Sequence, residues 1–421
     1  MFKLSALRCV LLGVSGYVLI GCGGSSGNNP GTTPVPTANE LRIGGLFSLT
    51  GNWNTLGKAS KAAVELARDD VNAYFASRSI ATRVTLFVTD TKLLPETAAA
   101  DLNSLVDKQV RYVVGPQSSS EVARLKATAD SSGTLLISQG STASSLSIAD
   151  DNVFRMVPDD VREAKALVAL ARADGIQALI PVARDDAGNG GLFTSVSARF
   201  SDVGGEVAAG IRYGANETDF TATLNSVRAA IVALRATHTD AQIGVYLAGF
   251  DEDAQILALA QADPTLSAVK WYGSDGVVSS AALSSNAGSA AFMSQHGFPN
   301  PIFGLDDSAV GTWSPVAQRI KAKSGVDPDA FALSAYDAVW LAALSYQAAG
   351  GSAATATDRR NSLFATASTY TGVTGPTKFD ASGDRNDGNF DFWSVGGSAG
   401  SYRWMRVASY KAADGSIVRI P

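Results

Sequence analysis

The chain has 421 residues, 34 Lys and Arg against 39 Asp and Glu, and a formal net charge of −5. That balance offers no basic stripe for a phosphate backbone, so nucleic acid is excluded as a partner. Its two cysteines, Cys9 and Cys22, both lie in the first 22 residues. The body of the chain therefore has no disulfide, no thiol nucleophile and no cysteine metal ligand, and must be held by packing alone.

In chain order, Lys3 and Arg8 precede an apolar run from Cys9 to Ile20, the layout of a secretory signal over residues 1–21. The run is shorter than the roughly 20 residues that cross a bilayer. It ends in Leu19-Ile20-Gly21-Cys22, which resembles the bacterial lipobox, and the resemblance implies a diacylated Cys22 as the new N-terminus. Residues 22–40 are rich in Gly, Ser, Asn, Thr and Pro without apolar periodicity and read as a flexible tether.

From Leu41 onward, short β-rich runs alternate with amphipathic helical stretches, the pattern of parallel sheets covered by helices. Strands are predicted at Leu41–Phe47, Arg83–Thr89, Arg111–Val114, Thr134–Ser138, Ala178–Ala183, Val207–Tyr213, Gln242–Ala248 and Val269–Gly273. A helix is predicted over Gly57–Phe75, where Ala59, Ala63, Leu66, Ala67 and Val71 recur at helical spacing. About 380 residues exceed one ordinary core. The expected class is α/β, with two doubly wound parallel-sheet lobes joined by a hinge, and ligands of such sheets bind at the carboxyl ends of strands.

Those ends are polar. Gly115-Pro116-Gln117-Ser118-Ser119-Ser120-Glu121 leads from a strand into a helix, and its hydroxyls and free N–H groups suit either a helix cap or an anionic ligand group. Ser138 is followed by Gln139-Gly140-Ser141-Thr142, where Gly140 lets a ligand approach the backbone. Farther on, Gly249-Phe250-Asp251-Glu252-Asp253 and Gly273-Ser274-Asp275-Gly276 bring acids to strand ends. Asp251, Glu252 and Asp253 fit the first turn of a helix, whereas Asp275 fits a cap and a ligand ammonium equally. Trp53, after the first strand, fits both a buried packing role and closure over a ligand.

At these residues the chain resembles the type I periplasmic binding proteins, in particular the leucine/isoleucine/valine-binding group of branched-chain amino-acid ABC transporters. The resemblance runs through Ser48-Leu49-Thr50-Gly51, Val114-Gly115-Pro116 with Ser118-Ser119, Ile137-Ser138 with Gly140 and Thr142, and Phe154-Arg155-Met156-Val157-Pro158. It continues in Thr218-Asp219-Phe220, Gly273-Ser274-Asp275-Gly276, Ala335-Tyr336-Asp337-Ala338, and Gly375-Pro376 through Phe379-Asp380 to Gly383-Asp384. It implies that Ser119, Thr142 and backbone near Gly140 hold an α-carboxylate, that Asp275 takes the ammonium, and that Phe250 and Trp53 line the cleft. Ser118 and Ser141, from the same hydroxyl-rich loops, are counted with them as ligand-binding candidates.

One departure is Gly188, in Asp185-Asp186-Ala187-Gly188-Asn189-Gly190-Gly191, where relatives carry an aromatic ring. Its loss is expected to enlarge or reshape the cleft, so the ligand need not be leucine. The resemblance further implies three crossings between lobes, placed near Pro158, Ser289 and Gly372, with lobe 1 at 41–157 plus about 289–371 and lobe 2 at 158–288 plus about 372–421. The segment from Thr377 to Trp393 is expected to return to lobe 2 as paired strands. The implied protein is a lipid-anchored periplasmic or cell-surface receptor that closes by a hinge on an amino acid or related small polar ligand and serves an ABC permease in the inner membrane. The same fold also serves ligand-sensing subunits of signalling systems.

No cofactor or metal is expected, and no enzyme. The two histidines, His238 and His296, lie far in sequence from the serine loops. Asp380–Gly388 lacks the glycine register of an EF-hand and reads as a polar turn. Gly188–Gly191 lacks the Lys-Ser/Thr of a phosphate loop.

Overall fold

The computed structural model describes residues 39–386 and 388–420. The proposed signal, the lipid site at Cys22 and all but the last two residues of the tether lie outside them. Among the described residues no helix is long and apolar enough to cross a membrane.

The first sheet comprises β1 (Glu40–Phe47), β2 (Arg83–Asp90), β3 (Tyr112–Val114), β4 (Leu135–Ser138) and β5 (Val153–Arg155), all parallel in the order β2-β1-β3-β4-β5. Its central strands are apolar on both faces because helices cover both. One face takes α1 (Asn54–Ser77), whose Ala59, Ala63, Ala67 and Val71 are buried; the other takes α2 (Pro95–Asp107) and α3 (Ser119–Ser132).

After β5 the chain enters α4 (Asp160–Ala173) and a second parallel sheet: β6 (Ala178–Arg184), β7 (Glu206–Val207), β8 (Ile211–Tyr213), β9 (Ile243–Ala248) and β10 (Lys270–Tyr272). The order is β10-β9-β6, with β7 and β8 sharing the far edge of β6. The helices α5 (Ala187–Asp202), α6 (Thr221–Leu234) and α7 (Asp253–Gln261) connect these strands. The single strand expected over Val207–Tyr213 is two, interrupted over 208–210, and the ring of Phe193 fills the place where a Gly210 side chain would stand, 2.0 Å from its Cβ.

Two expected crossings fall later than anticipated. Beyond α8 (Ala281–Ser285), helix α9 (Ala287–His296) buries Ala290, Phe292 and Met293 in the core of the second sheet, so that core runs past Ser289. The chain then forms β11 (Asn300–Gly304), α10 (Val310–Ser324), α11 (Ala330–Ala348) and α12 (Ala356–Ala367). Apolar nearly all round, α11 lies buried against α1 in the first core.

The hairpin of β12 (Thr371–Gly372) and β13 (Gly375–Pro376) stays with that core, since Asp337 of α11 accepts the N–H groups of Val373 and Thr374, each at 2.9 Å. Phe379 also remains there, packed on Phe154 and Phe364. The chain therefore leaves the first lobe well after Gly372, and residues 377–386 are not the paired strands expected of them. An antiparallel sheet follows, β11-β14-β15-β16, with β14 (Asn389–Gly396), β15 (Arg403–Lys411) and β16 (Ser416–Arg419). Its Phe390, Phe392, Ala408 and Tyr410 pack on α4 and the second sheet.

Candidate functional site

The site on the first lobe starts from two loops at the ends of β3 and β4. Ser118 is the N-cap of α3: its hydroxyl accepts from the Glu121 N–H and donates to Glu121 Oε2, the reciprocal capping box. The capping alternative therefore describes Ser118. Ser119 instead turns to the neighbouring loop, where its Oγ accepts from the Ser141 hydroxyl at 3.0 Å and from the Ala143 N–H at 3.2 Å. Ser138 ties the loops together, donating to the Pro116 carbonyl and accepting from the Ser141 N–H. Gln117 accepts the Ser48 N–H and donates to the Trp53 carbonyl, fixing the loop after β1 with Trp53 at φ 56°.

The indole of Trp53 lies over Gly140, where a Cβ would come within 3.4 Å of it. Phe250, 4.8 Å away between ring centroids, packs on its other side from the second lobe. Trp53 is only 4% exposed, and its Nε1–H is buried without a partner.

Facing these loops, the second lobe presents buried acids. Asp275 follows β10 and leaves Oδ2 unpartnered, as is the hydroxyl of the adjacent Ser274. Glu163 abuts Asp275, and Asp160 lies one turn earlier on α4, beside the Thr142 hydroxyl of the first lobe. Neither oxygen of Asp160 nor Oε1 of Glu163 is in a hydrogen bond of good geometry, and the Tyr246 hydroxyl of β9 is likewise buried and unpartnered.

Loss of water, reinforced by mutual repulsion, pushes these groups up: Asp160 to about 7 and Asp275 to about 8, with Glu163 well above the carboxylate range. Asp329 caps α11 from the first lobe by accepting the Ala332 N–H at 2.8 Å, and burial raises it to about 7. The nearest cation, Arg155, is already held by Asp384, by Ser147 and by the Ala143 carbonyl.

The lobes are latched together around this patch. The Trp53 N–H donates to Asp251 Oδ2 at 2.8 Å, Asn52 Nδ2 donates to Glu252 Oε2 at 2.7 Å, and the Asp251 N–H donates to Asn52 Oδ1 at 2.9 Å. Elsewhere on the rim the Ala281 N–H donates to Thr55 Oγ1, and the Ala187 N–H to Ser120 Oγ. Asp251 and Glu252 thus act across the interface, beyond the local helix-start role that spacing favours. Gly188 faces the first lobe directly: a Cβ there would stand 3.5 Å from Ser119 Oγ, an ordinary contact distance.

Ser119, Gly140, Ser141, Thr142, Gly188, Trp53, Phe250 and Asp275 therefore converge between the lobes, with Ser118 set back in its cap. Sequence reasoning missed Asp160, Glu163, Tyr246 and Asp329. A signal was present in Asp159-Asp160-x-x-Glu163: Asp159 is the N-cap of α4, so two further acids in the first turn exceed what a cap requires.

A groove of about 930 Å³ runs beside Thr55 and Ala281, walled by Phe303, Trp313, Trp393 and Trp404 and reached by Asp329. None of the nine expected ligand residues lines it, and the buried unpartnered atoms of the described residues lie elsewhere. Among the described residues no three or more His, Cys, Asp or Glu side chains are arranged to hold a metal ion.

Comparison with known proteins gives three findings. The family model for periplasmic binding protein matches residues 40–400. An uncharacterized protein of Methanocaldococcus jannaschii is 26% identical over 341 residues, 79% of either chain. Two solved structures share the fold. The branched-chain amino acid transporter substrate binding protein LivJ from Streptococcus pneumoniae, in complex with isoleucine, has a TM-score of 0.67 and 22% identity over 87% of this chain and 99% of its own. A solute binding protein from R. palustris, in complex with benzoate, has a TM-score of 0.67 and 18% identity over 87% and 95%.

Proposed function

This chain belongs to the periplasmic binding protein family, and on that premise we propose that it is the extracytoplasmic substrate-binding lipoprotein of an ABC transporter. It captures an amino acid or related small polar ligand between its lobes and presents it to an inner-membrane permease. Cys22 carries the lipid that keeps it at the membrane, in the periplasm or at the cell surface. Ser119, Ser141, Thr142 and the backbone at Gly140 hold the ligand's anionic end, Asp275 takes its ammonium, and Trp53 and Phe250 close over it.

The observation that carries this reading is the set of buried polar atoms without partners between the lobes: Ser274 Oγ, Asp275 Oδ2 and Trp53 Nε1. Such atoms are costly to bury unless something answers them, and a ligand enclosed by hinge closure does so while favouring the closed state. The isoleucine and benzoate complexes of the fold relatives support a small carboxylate as the ligand.

The test is thermal shift on protein refolded from denaturant, against amino acids, small carboxylates and sugars, since a binder stabilises the native state by mass action. Asp275→Asn is expected to weaken an amino-acid ligand by about 30- to several-thousand-fold. Equal affinity in the variant would remove Asp275 from the site, and stabilisation by sugars alone would sink the assignment.

A further inference from the structure

The acids of this cleft outnumber what one ammonium can answer. A cation set against Asp275 leaves Asp160 and Glu163 facing it from α4, both fully buried and with unpartnered oxygens, while Asp329 adds a fourth acid from the other lobe. Among the described residues the cations beside this cleft are already engaged, Arg155 by Asp384 and Arg184 by Asp186 and Glu252. Independently of the carboxylates, the hydroxyls of Tyr246 and Ser274 are buried and unpartnered in the same patch, and each can accept an N–H. The carboxylates do not converge as metal ligands do. The charge they call for is therefore spread over a larger group that brings its own donors.

Building on the receptor reading above, we propose that the ligand carries two cationic amine groups, one held by Asp275 and the second by Asp160 and Glu163, as a basic amino acid or a diamine would supply. Ser119, whose Oγ accepts two bonds and keeps its own O–H to donate, faces the patch from the first lobe and with Thr142, once that hydroxyl leaves Asp160, can answer a carboxylate, which a basic amino acid has and a diamine lacks. Proton balance separates this ligand from a neutral one. When the lobes close without a matching cation, the buried acids must take up protons, because burial raises them to about 7 and above. A doubly cationic ligand lets them close ionised.

The experiment is isothermal titration calorimetry near neutral pH in two buffers of different ionisation enthalpy, with lysine, ornithine, putrescine, leucine and benzoate as probes. Lysine, ornithine or putrescine is expected to bind with a buffer-independent enthalpy, and the preference between lysine and putrescine tells whether the carboxylate is read. Glu163→Gln and Asp160→Asn are each expected to weaken that probe about thirtyfold or more. Binding of leucine or benzoate with none of the basic probes would leave the receptor standing and overturn the second cation site. Uptake of a proton with lysine or putrescine by the unmodified protein would overturn it even if both variants failed to fold. Failure of every probe would overturn the receptor reading as well.

Discussion

Replacing Asp384 by alanine strips the partner from a guanidinium that has no route to water. Arg155 and Asp384 are 1% and 2% exposed, and the guanidinium grips both carboxylate oxygens while also donating to Ser147 and to the Ala143 carbonyl. Arginine does not escape by losing its proton, so the variant must fold around an unpaired buried charge. Such single deletions cost about 3–5 kcal/mol. With a urea dependence near 3 kcal/mol/M, the midpoint for the first lobe should fall by about 1–2 M. Urea unfolding followed by circular dichroism and tryptophan fluorescence measures it. The companion variant, Arg155→Met with Asp384→Leu, should regain most of the loss, because two apolar groups leave no charge behind. An unchanged midpoint in Asp384→Ala would refute the argument. A double variant as unstable as the single would assign the effect to the bonds with Ala143 and Ser147 and not to charge.

Two other outcomes follow from the same geometry. Asp160, Asp275 and Asp329 are raised by burial to about 7, 8 and 7, against about 3.9 when solvated. Their contribution to the closed form is complete below about pH 4 and is lost as pH rises through about 7 to 8. The ligand-free protein should therefore expand between about pH 6 and pH 9 in small-angle X-ray scattering, and a constant radius of gyration would contradict the assignment. At Gly57, on the first turns of α1, a Cβ would stand 1.7 Å from the Ser48 carbonyl oxygen. Gly57→Ala must push the helix off the end of β1 at a cost of about 1–3 kcal/mol, read as a lower melting temperature; a wild-type melt would show that the loop gives way freely.

Much of the fold was legible because strands covered on both faces, such as β1 with Ile43, Leu46 and Phe47, leave an apolar run that few other structures produce. Where the chain changes lobes was harder to read. The allegiance of α9 rests on Phe292 meeting Trp271, and that of the β12–β13 hairpin on Asp337 reaching Val373 and Thr374; both are contacts between distant segments with no local pattern. Within the site, the loops at Ser119 and Thr142 announced themselves through hydroxyls at strand ends. Asp160 and Glu163 announced themselves only as two acids beyond the cap Asp159, and their burial comes from distant segments, Thr142 beside Asp160 and Asp275 with Tyr246 beside Glu163. The nearness of Gly188 to Ser119 is likewise a meeting of distant segments that no local pattern announces.

The place of α11 in the first core has a consequence for how the molecule comes into being. The face of the first sheet that carries Tyr112, Val114, Leu135 and Ile137 is sealed by a helix beginning only at Ala330. A chain emerging from its N-terminus therefore makes all five strands of that sheet, and then the whole second sheet, before the cover arrives. Until then that face carries α1 alone, while the opposite face already holds α2 and α3. Ending the chain before α11 would uncover Tyr112, Val114, Leu135 and Ile137 on the side that Tyr346 and its neighbours fill, while the opposite core with α2 and α3 would lose nothing.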